Sequence, residues 1–270
     1  MNVTLAPRTT YQHYFVLPFE KGLDPITISY YIKTYWSVTI PLAVLYLIGI
    51  FSLKAWMRKR EAMPLKSIST KWNGLLALFS ILGLIRTTEE FFFTVKDQGL
   101  TASICNPFTN DSVSAYWFLF FAVSKFFELG DTLLLALKKR HLSFLHCYHH
   151  AIVLVYVWQS GADEIASGRV FLWLNFLCHS LMYSYFVLHS LNYKCKPLAI
   201  YVTTVQIAQM IIGLITSICV FYIKTFTPTP CQQSTFNLYF CFSIYLSFAF
   251  LFIKFFFNAY CQKQDKVKEL

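Results

Sequence analysis

Three imidazoles fall within five residues of an otherwise apolar run, at His146, His149 and His150. On an α-helix, positions i, i+3 and i+4 project from one face within an arc of roughly 100°. The three rings therefore converge on one patch, with Cys147 turned partly aside. Imidazole can act as nucleophile, general base or metal ligand, and polar groups are costly in hydrocarbon, so the patch reads as a functional site in a protein interior. Other polar residues recur at helical spacing nearby: Lys125, Glu128 and Asp131; Asn175 and His179, followed by Met182, Tyr183 and Tyr185; and Thr203, Gln206 and Gln209. Any one of these stripes reads equally as a buried ion pair or an interhelical hydrogen-bond clamp. Four in succession outline a polar chamber with His146, His149, His150 and His179 at its centre.

The elements that position these groups are long and apolar. Hydrophobic residues make up 56% of the 270 and charged residues only 13%, in blocks rather than in the short amphipathic patterns of a soluble domain, which is the signature of a polytopic membrane protein. A bilayer crossing takes about 20 residues. Seven such spans are predicted, near Trp36 to Met57, Trp72 to Val95, Ala115 to Leu137, Leu142 to Ser160, Val170 to Ser190, Leu198 to Ile223 and Thr235 to Tyr260. The fold class is thus all-α, seven transmembrane helices enclosing the chamber. With no internal repeat and no dividing linker, residues 1–270 are expected to form one membrane domain. The first apolar block lacks a small-residue cleavage pattern, so no cleaved signal peptide is expected.

Basic residues set the orientation. Arg58, Lys59, Arg60, Lys66 and Lys71 fall in the first loop, Lys138, Lys139 and Arg140 in the third, Lys194 and Lys196 in the fifth, and Lys263, Lys266 and Lys268 in the tail. The opposite face has only Arg8, Lys21, Lys33, Lys96, Arg169 and Lys224. By the positive-inside rule the amino terminus is lumenal and the carboxyl terminus cytosolic. The net charge of +10 is then a topology signal that also favours anionic lipid or phosphorylated ligands at the cytosolic mouth. Nucleic acid is not an expected partner, since no polar domain exists to present it a surface.

Of eight cysteines, Cys105 and Cys231 fall in the second and sixth loops, both non-cytosolic. A disulfide between them would persist only in an oxidising lumen, and two free thiols are the alternative. Asn2 and Asn110 begin glycosylation acceptor triplets on that same side. Lys266 and Lys268, fifth and third from the end, resemble a dilysine retrieval address, which places the protein in the endoplasmic reticulum membrane.

Taken together, Lys125-Phe126-Phe127-Glu128-Leu129-Gly130-Asp131-Thr132, His146-Cys147-Tyr148-His149-His150, Asn175 through His179 to Met182-Tyr183-Ser184-Tyr185, and Thr203 through Gln206 to Gln209 resemble the four signatures of the very-long-chain fatty acid elongase family, in that family's order and spacing. The resemblance covers nearly the whole chain. Residues 142–146 and 255–260 look most like the branch acting on saturated and monounsaturated chains. Two positions depart from the pattern: Cys147 stands where an aromatic residue is expected, and Phe186 where a second Tyr is common.

The resemblance implies condensation of an acyl-CoA with malonyl-CoA, giving a 3-oxoacyl-CoA two carbons longer, carbon dioxide and CoA. No bound cofactor and no metal are implied. His146, His149, His150, His179, Asn175, Gln206 and Gln209 would be the catalytic group, with Lys125, Glu128, Asp131 and Tyr183 as a supporting polar shell. An acyl-imidazole on His149 or His179 would divide the reaction in two, whereas the direct route uses histidine only as a base. Cys147 is a rival nucleophile, read as a packing residue because free Cys usually behaves as a small buried hydrophobe. Implied partners are the two CoA substrates, membrane lipid, the ketoreductase, dehydratase and enoyl reductase of an elongation cycle, and a second copy of the chain.

Two rival classes share parts of this pattern. Membrane desaturases and hydroxylases use HxxHH to bind iron, but a di-iron centre needs several such boxes and the chain has seven histidines in all. Seven spans in this orientation also describe a G-protein-coupled receptor, against which stands the concentration of acid, base and imidazole on four adjacent spans.

Overall fold

The computed structural model describes residues 6–21, 24–193 and 195–261. Asn2, Lys266 and Lys268 lie outside the described residues. The elements are helical: α1 (Pro25–Tyr35), α2 (Thr39–Met57), α3 (Lys66–Phe93), α4 (Gly99–Cys105), α5 (Val113–Leu137), α6 (Phe144–Ala162), α7 (Gly168–Ser190), α8 (Lys196–Phe226) and α9 (Thr235–Phe256). A short 3-10 turn, Trp36–Val38, joins α1 to α2, and a π turn over Thr94–Gln98 leads from α3 into α4. Three helices begin on a serine whose hydroxyl accepts a first-turn N–H: Ser112 from Ala115, Ser143 from His146 and Ser234 from Asn237, each satisfying a donor the helix itself cannot.

Five stretches are long and apolar enough to cross a membrane: Thr27–Met57, Lys66–Cys105, Gly168–Ser190, Lys196–Phe226 and Thr235–Cys261. These are the stretches among the described residues that meet that measure by length and composition, five of the seven spans expected. The other two helices, α5 and α6, are 25 and 19 residues long, but they carry the ion pair and the histidine cluster. Boundaries also move. The α3 helix starts six residues before the expected Trp72, and the α1 helix precedes the span expected from Trp36.

Neighbour relations close a circuit. The α3 helix packs on α7, α7 on α8, α8 on α9, α9 on α6, α6 on α5, and α5 on α3, while α2 lies outside this ring in the groove between α5 and α6. Outward faces are apolar: Leu42, Leu45, Ile48 and Phe51 on α2 and Ile211, Ile215 and Ile218 on α8 are exposed, a surface suited to lipid rather than water. Between α3, α5 and α7 the aromatic rings of Phe79, Trp117, Phe121 and Phe176 interlock edge to face. A Cβ on Gly83 would stand 2.5 Å from Phe176, so a residue without one lets α3 and α7 approach.

The two ends of the ring differ. At one, the backbone N–H of Met63 donates to Leu137 and the Lys139 ammonium donates to the carbonyls of Arg58 and Arg60, stitching together two basic loops. At the other, Cys105 is joined to Cys231, tying α4 to the strap before α9. There Glu90 pairs with Arg169 at 2.8 Å, both 2% exposed, and Glu20 pairs with Arg86 and accepts from the Trp117 indole.

Candidate functional site

The histidines occupy the first two turns of α6, next to the basic end. The His146 and His150 ring centroids are 4.4 Å apart, and His149 and His150 are 5.4 Å apart. His149 also packs against Phe248 of α9 at 5.0 Å. From α7, His179 brings Nδ1 within 3.7 Å of the Glu128 carboxylate on α5. The three α6 imidazoles thus stand together, with His179 of α7 against the α5 carboxylate.

The α5 stripe divides. Lys125 donates to Glu128 at 2.8 Å and to the Asn175 side-chain oxygen on α7 at 3.2 Å, with its ammonium 4.0 Å from the centroid of the Phe121 ring. Asp131 leaves that group: it accepts from the Trp72 indole on α3 and the Tyr183 hydroxyl on α7, each at 2.7 Å. Helix geometry explains the split. Steps of i+6 drift by roughly 120° around the axis, whereas a step of i+7 returns within about 20°. The α5 residue above Lys125 on the same face is accordingly Thr132, whose hydroxyl lies 2.9 Å from His146 Nε2 and 2.7 Å from the Tyr46 hydroxyl on α2. The sequence marks Thr132 only as the last residue of the 125–132 stretch, and does not mark Tyr46. The i+7 spacing from Lys125 could have revealed the first, but nothing local marks the second.

The α8 stripe divides in the same way. Gln209 is buried and lines a small cavity, about 50 Å³, together with His149, Asn175, Tyr156, Tyr245 and Phe248. Gln206 instead donates to the Met182 sulfur at 3.3 Å, and the Thr203 hydroxyl reaches Tyr260 at 3.2 Å. A 50 Å³ cavity holds a water or two rather than an acyl chain. A larger cavity, about 660 Å³, lies at the disulfide end against residues 8–21, and none of the site histidines lines it. It lies away from the chemistry.

Cys147 is buried, with its thiol unpaired. Among the described residues no three His, Cys, Asp or Glu side chains are placed to hold a metal ion. The site therefore offers four imidazoles, one buried ion pair and two carboxamides, a set able to provide a nucleophile, a base and hydrogen-bond donors for a developing oxyanion.

The model of the GNS1/SUR4 (ELO) family matches residues 31–268 of this chain. Over 268 residues, 98% of this chain and 83% of the relative, it is 39% identical to "Putative fatty acid elongase 3" of Caenorhabditis elegans. It is 34% identical to "Very long chain fatty acid elongase 6" of Rattus norvegicus and of Homo sapiens, each over 250 residues covering 92% of this chain and 94% of the relative.

Proposed function

Since this chain belongs to the ELO family of fatty acid elongases, we propose that it catalyses the condensing step, joining a long-chain acyl-CoA to malonyl-CoA with loss of carbon dioxide and CoA. The observation that carries this reading is the meeting of His149, Asn175 and Gln209 on one cavity, with the His150 ring against His149 and Lys125, paired with Glu128, donating to Asn175. His149 attacks the acyl thioester carbonyl through a ring nitrogen. The C–S bond breaks, CoA leaves as the thiol after taking a proton, and the acyl group remains on imidazole. Malonyl-CoA then loses carbon dioxide, and the electron pair of the broken C–C bond becomes an enolate. Its carbon attacks the acyl-imidazole carbonyl, the acyl C–N bond breaks, and the departing imidazole takes up a proton from solvent, releasing 3-oxoacyl-CoA and restoring neutral His149. Carboxamide N–H groups of Asn175 and Gln209 meet the oxyanions, where fixed donors in a dry site are most effective. His179, beside Glu128, is the alternative acyl carrier.

In this reading α5 and α6 also cross the membrane, giving seven spans, and the protein is a single membrane domain of the endoplasmic reticulum with a lumenal amino terminus. CoA phosphates sit on the basic loops around Arg58 and Lys139, and the acyl chain runs from His149 between Val153, Val157, Phe171 and Tyr245 as those side chains repack. The resemblance of residues 142–146 and 255–260 to the branch acting on saturated and monounsaturated chains supports such acyl substrates. The product passes to the ketoreductase, dehydratase and enoyl reductase of an elongation cycle.

Purified protein given acyl-CoA without malonyl-CoA should release up to one equivalent of CoA and carry the acyl mass on His149. His149→Ala and His150→Ala should each retain under about a tenth of wild-type turnover, a loss of at least roughly 1.4 kcal/mol of transition-state stabilisation. Turnover above that level in His149→Ala would refute the assignment, and an adduct on Cys147 would move the nucleophile.

A further inference from the structure

We propose that Tyr46 and Thr132 are positioning residues, forming a hydrogen-bond relay that enters the helix ring from outside and sets the orientation of the histidine cluster. The inference rests on the condensing role of that cluster. Its starting observation is the unusual place of Tyr46. The α2 helix lies outside the ring, its outward face is apolar and exposed, and its buried residues Thr39, Ala43, Ile50 and Met57 mark one stripe against α5 and α6. Tyr46 falls on that stripe, three residues after Ala43 and four before Ile50. Its hydroxyl lies 2.7 Å from Thr132 Oγ1, and Thr132, fully buried, lies 2.9 Å from His146 Nε2. Three helices are joined by this chain of three groups.

The chain has a polarity. Thr132 carries one hydroxyl hydrogen and can donate to only one of its two neighbours. A phenol is a stronger donor than an alcohol and a weaker acceptor. The stable sense is therefore Tyr46 donating to Thr132, and Thr132 donating to Nε2 of a neutral His146, which places the ring proton on Nδ1. A histidine's tautomer is set in this way by the bond its other nitrogen makes. His146 then stands with its ring centroid 4.4 Å from that of His150, whose ring abuts His149. Tyr46 touches no reacting atom; it acts through Thr132 and the His146 ring on the position of His150 and His149.

The relay is tested by turnover of purified protein in lipid nanodiscs with malonyl-CoA and acyl-CoA, for the wild type, Tyr46→Phe, Thr132→Val, Thr132→Ser, Tyr46→Phe/Thr132→Val and His149→Ala. One neutral hydrogen bond contributes up to about a tenfold effect. Tyr46→Phe and Thr132→Val should each lower kcat about five- to tenfold with KM for both substrates within about twofold. The double variant should fall no lower than Thr132→Val, because one chain is broken once. Thr132→Ser, which keeps the hydroxyl, should restore most of kcat. An unchanged kcat in Tyr46→Phe, a multiplicative loss in the double variant, or failure of Ser to rescue where Val impairs would overturn the relay. If Tyr46→Phe folds poorly, the Val and Ser pair at Thr132 decides the matter. An active His149→Ala would instead sink the condensing role itself, so the two failures are separable.

Discussion

Removing the Lys125 ammonium should destabilise the fold far more than removing both members of its ion pair. Lys125 and Glu128 have side chains only 3% and 4% exposed, with N and O 2.8 Å apart. Their raw attraction at an effective dielectric of 20 is about 6 kcal/mol, but the desolvation of both groups offsets most of it. Lys125→Met leaves the Glu128 carboxylate with only the Ser124 hydroxyl at 3.0 Å and His179 at 3.7 Å. An uncompensated buried charge of this kind costs about 3–5 kcal/mol. Glu128→Gln should also destabilise, but less, because the Gln oxygen can still accept from Lys125, which keeps Asn175 and the Phe121 ring as well. Lys125→Met/Glu128→Gln removes both charges and should cost about 1–2 kcal/mol, far below the sum of the singles, so the pair shows strong coupling. The assay is reversible unfolding in mixed micelles, followed by circular dichroism, with turnover measured on the folded fraction. Turnover should be lost even in the better-folded double variant, because Asn175 has lost its Nζ donor. A Lys125→Met cost under about 1 kcal/mol, or additivity in the double variant, would refute the reasoning.

Two further outcomes follow from the structure. Glu164 lies outside the spans; burial raises its pKa, but bonds from Lys33, Arg8 and Ser29 outweigh this and hold it at about 2. Its stabilisation is complete above its unfolded value near 4.3 and is lost as pH falls toward 2; for this half-buried group with solvent-exposed partners it amounts to about 1 kcal/mol after solvent screening. Unfolding of Glu164→Gln against wild type should therefore differ at pH 7 and converge near pH 2, and a constant gap would contradict it. Gly130→Ala should cost about 1–3 kcal/mol through overpacking, since its Cβ would stand 2.6 Å from Trp72 and push the indole off Asp131. A melting curve and tryptophan emission unchanged from wild type would count against that packing account.

Composition and periodicity determined much of this protein. Blocks of apolar residues state that the chain lives in a membrane, because nothing else could cover so much hydrocarbon surface. The i, i+3, i+4 spacing of His146, His149 and His150 places three rings on one face wherever that helix packs, since the relation is internal to a single helix. What lies across the interface depended on tertiary structure. Asp131 stands six residues from Lys125, a step that rotates about 120° away from the starting face, and Gln206 stands three from Gln209, about 60° off it; the neighbours each reaches are set by how α5 and α8 turn against α3 and α7. Thr132 takes the place expected of Asp131 on the face toward His146. Tyr46 was hidden for a different reason: on a membrane helix, residues facing lipid and residues facing protein are both apolar. Their sequence pattern does not say which face is buried, and only the docking of α2 into the groove between α5 and α6 brings its hydroxyl to the site.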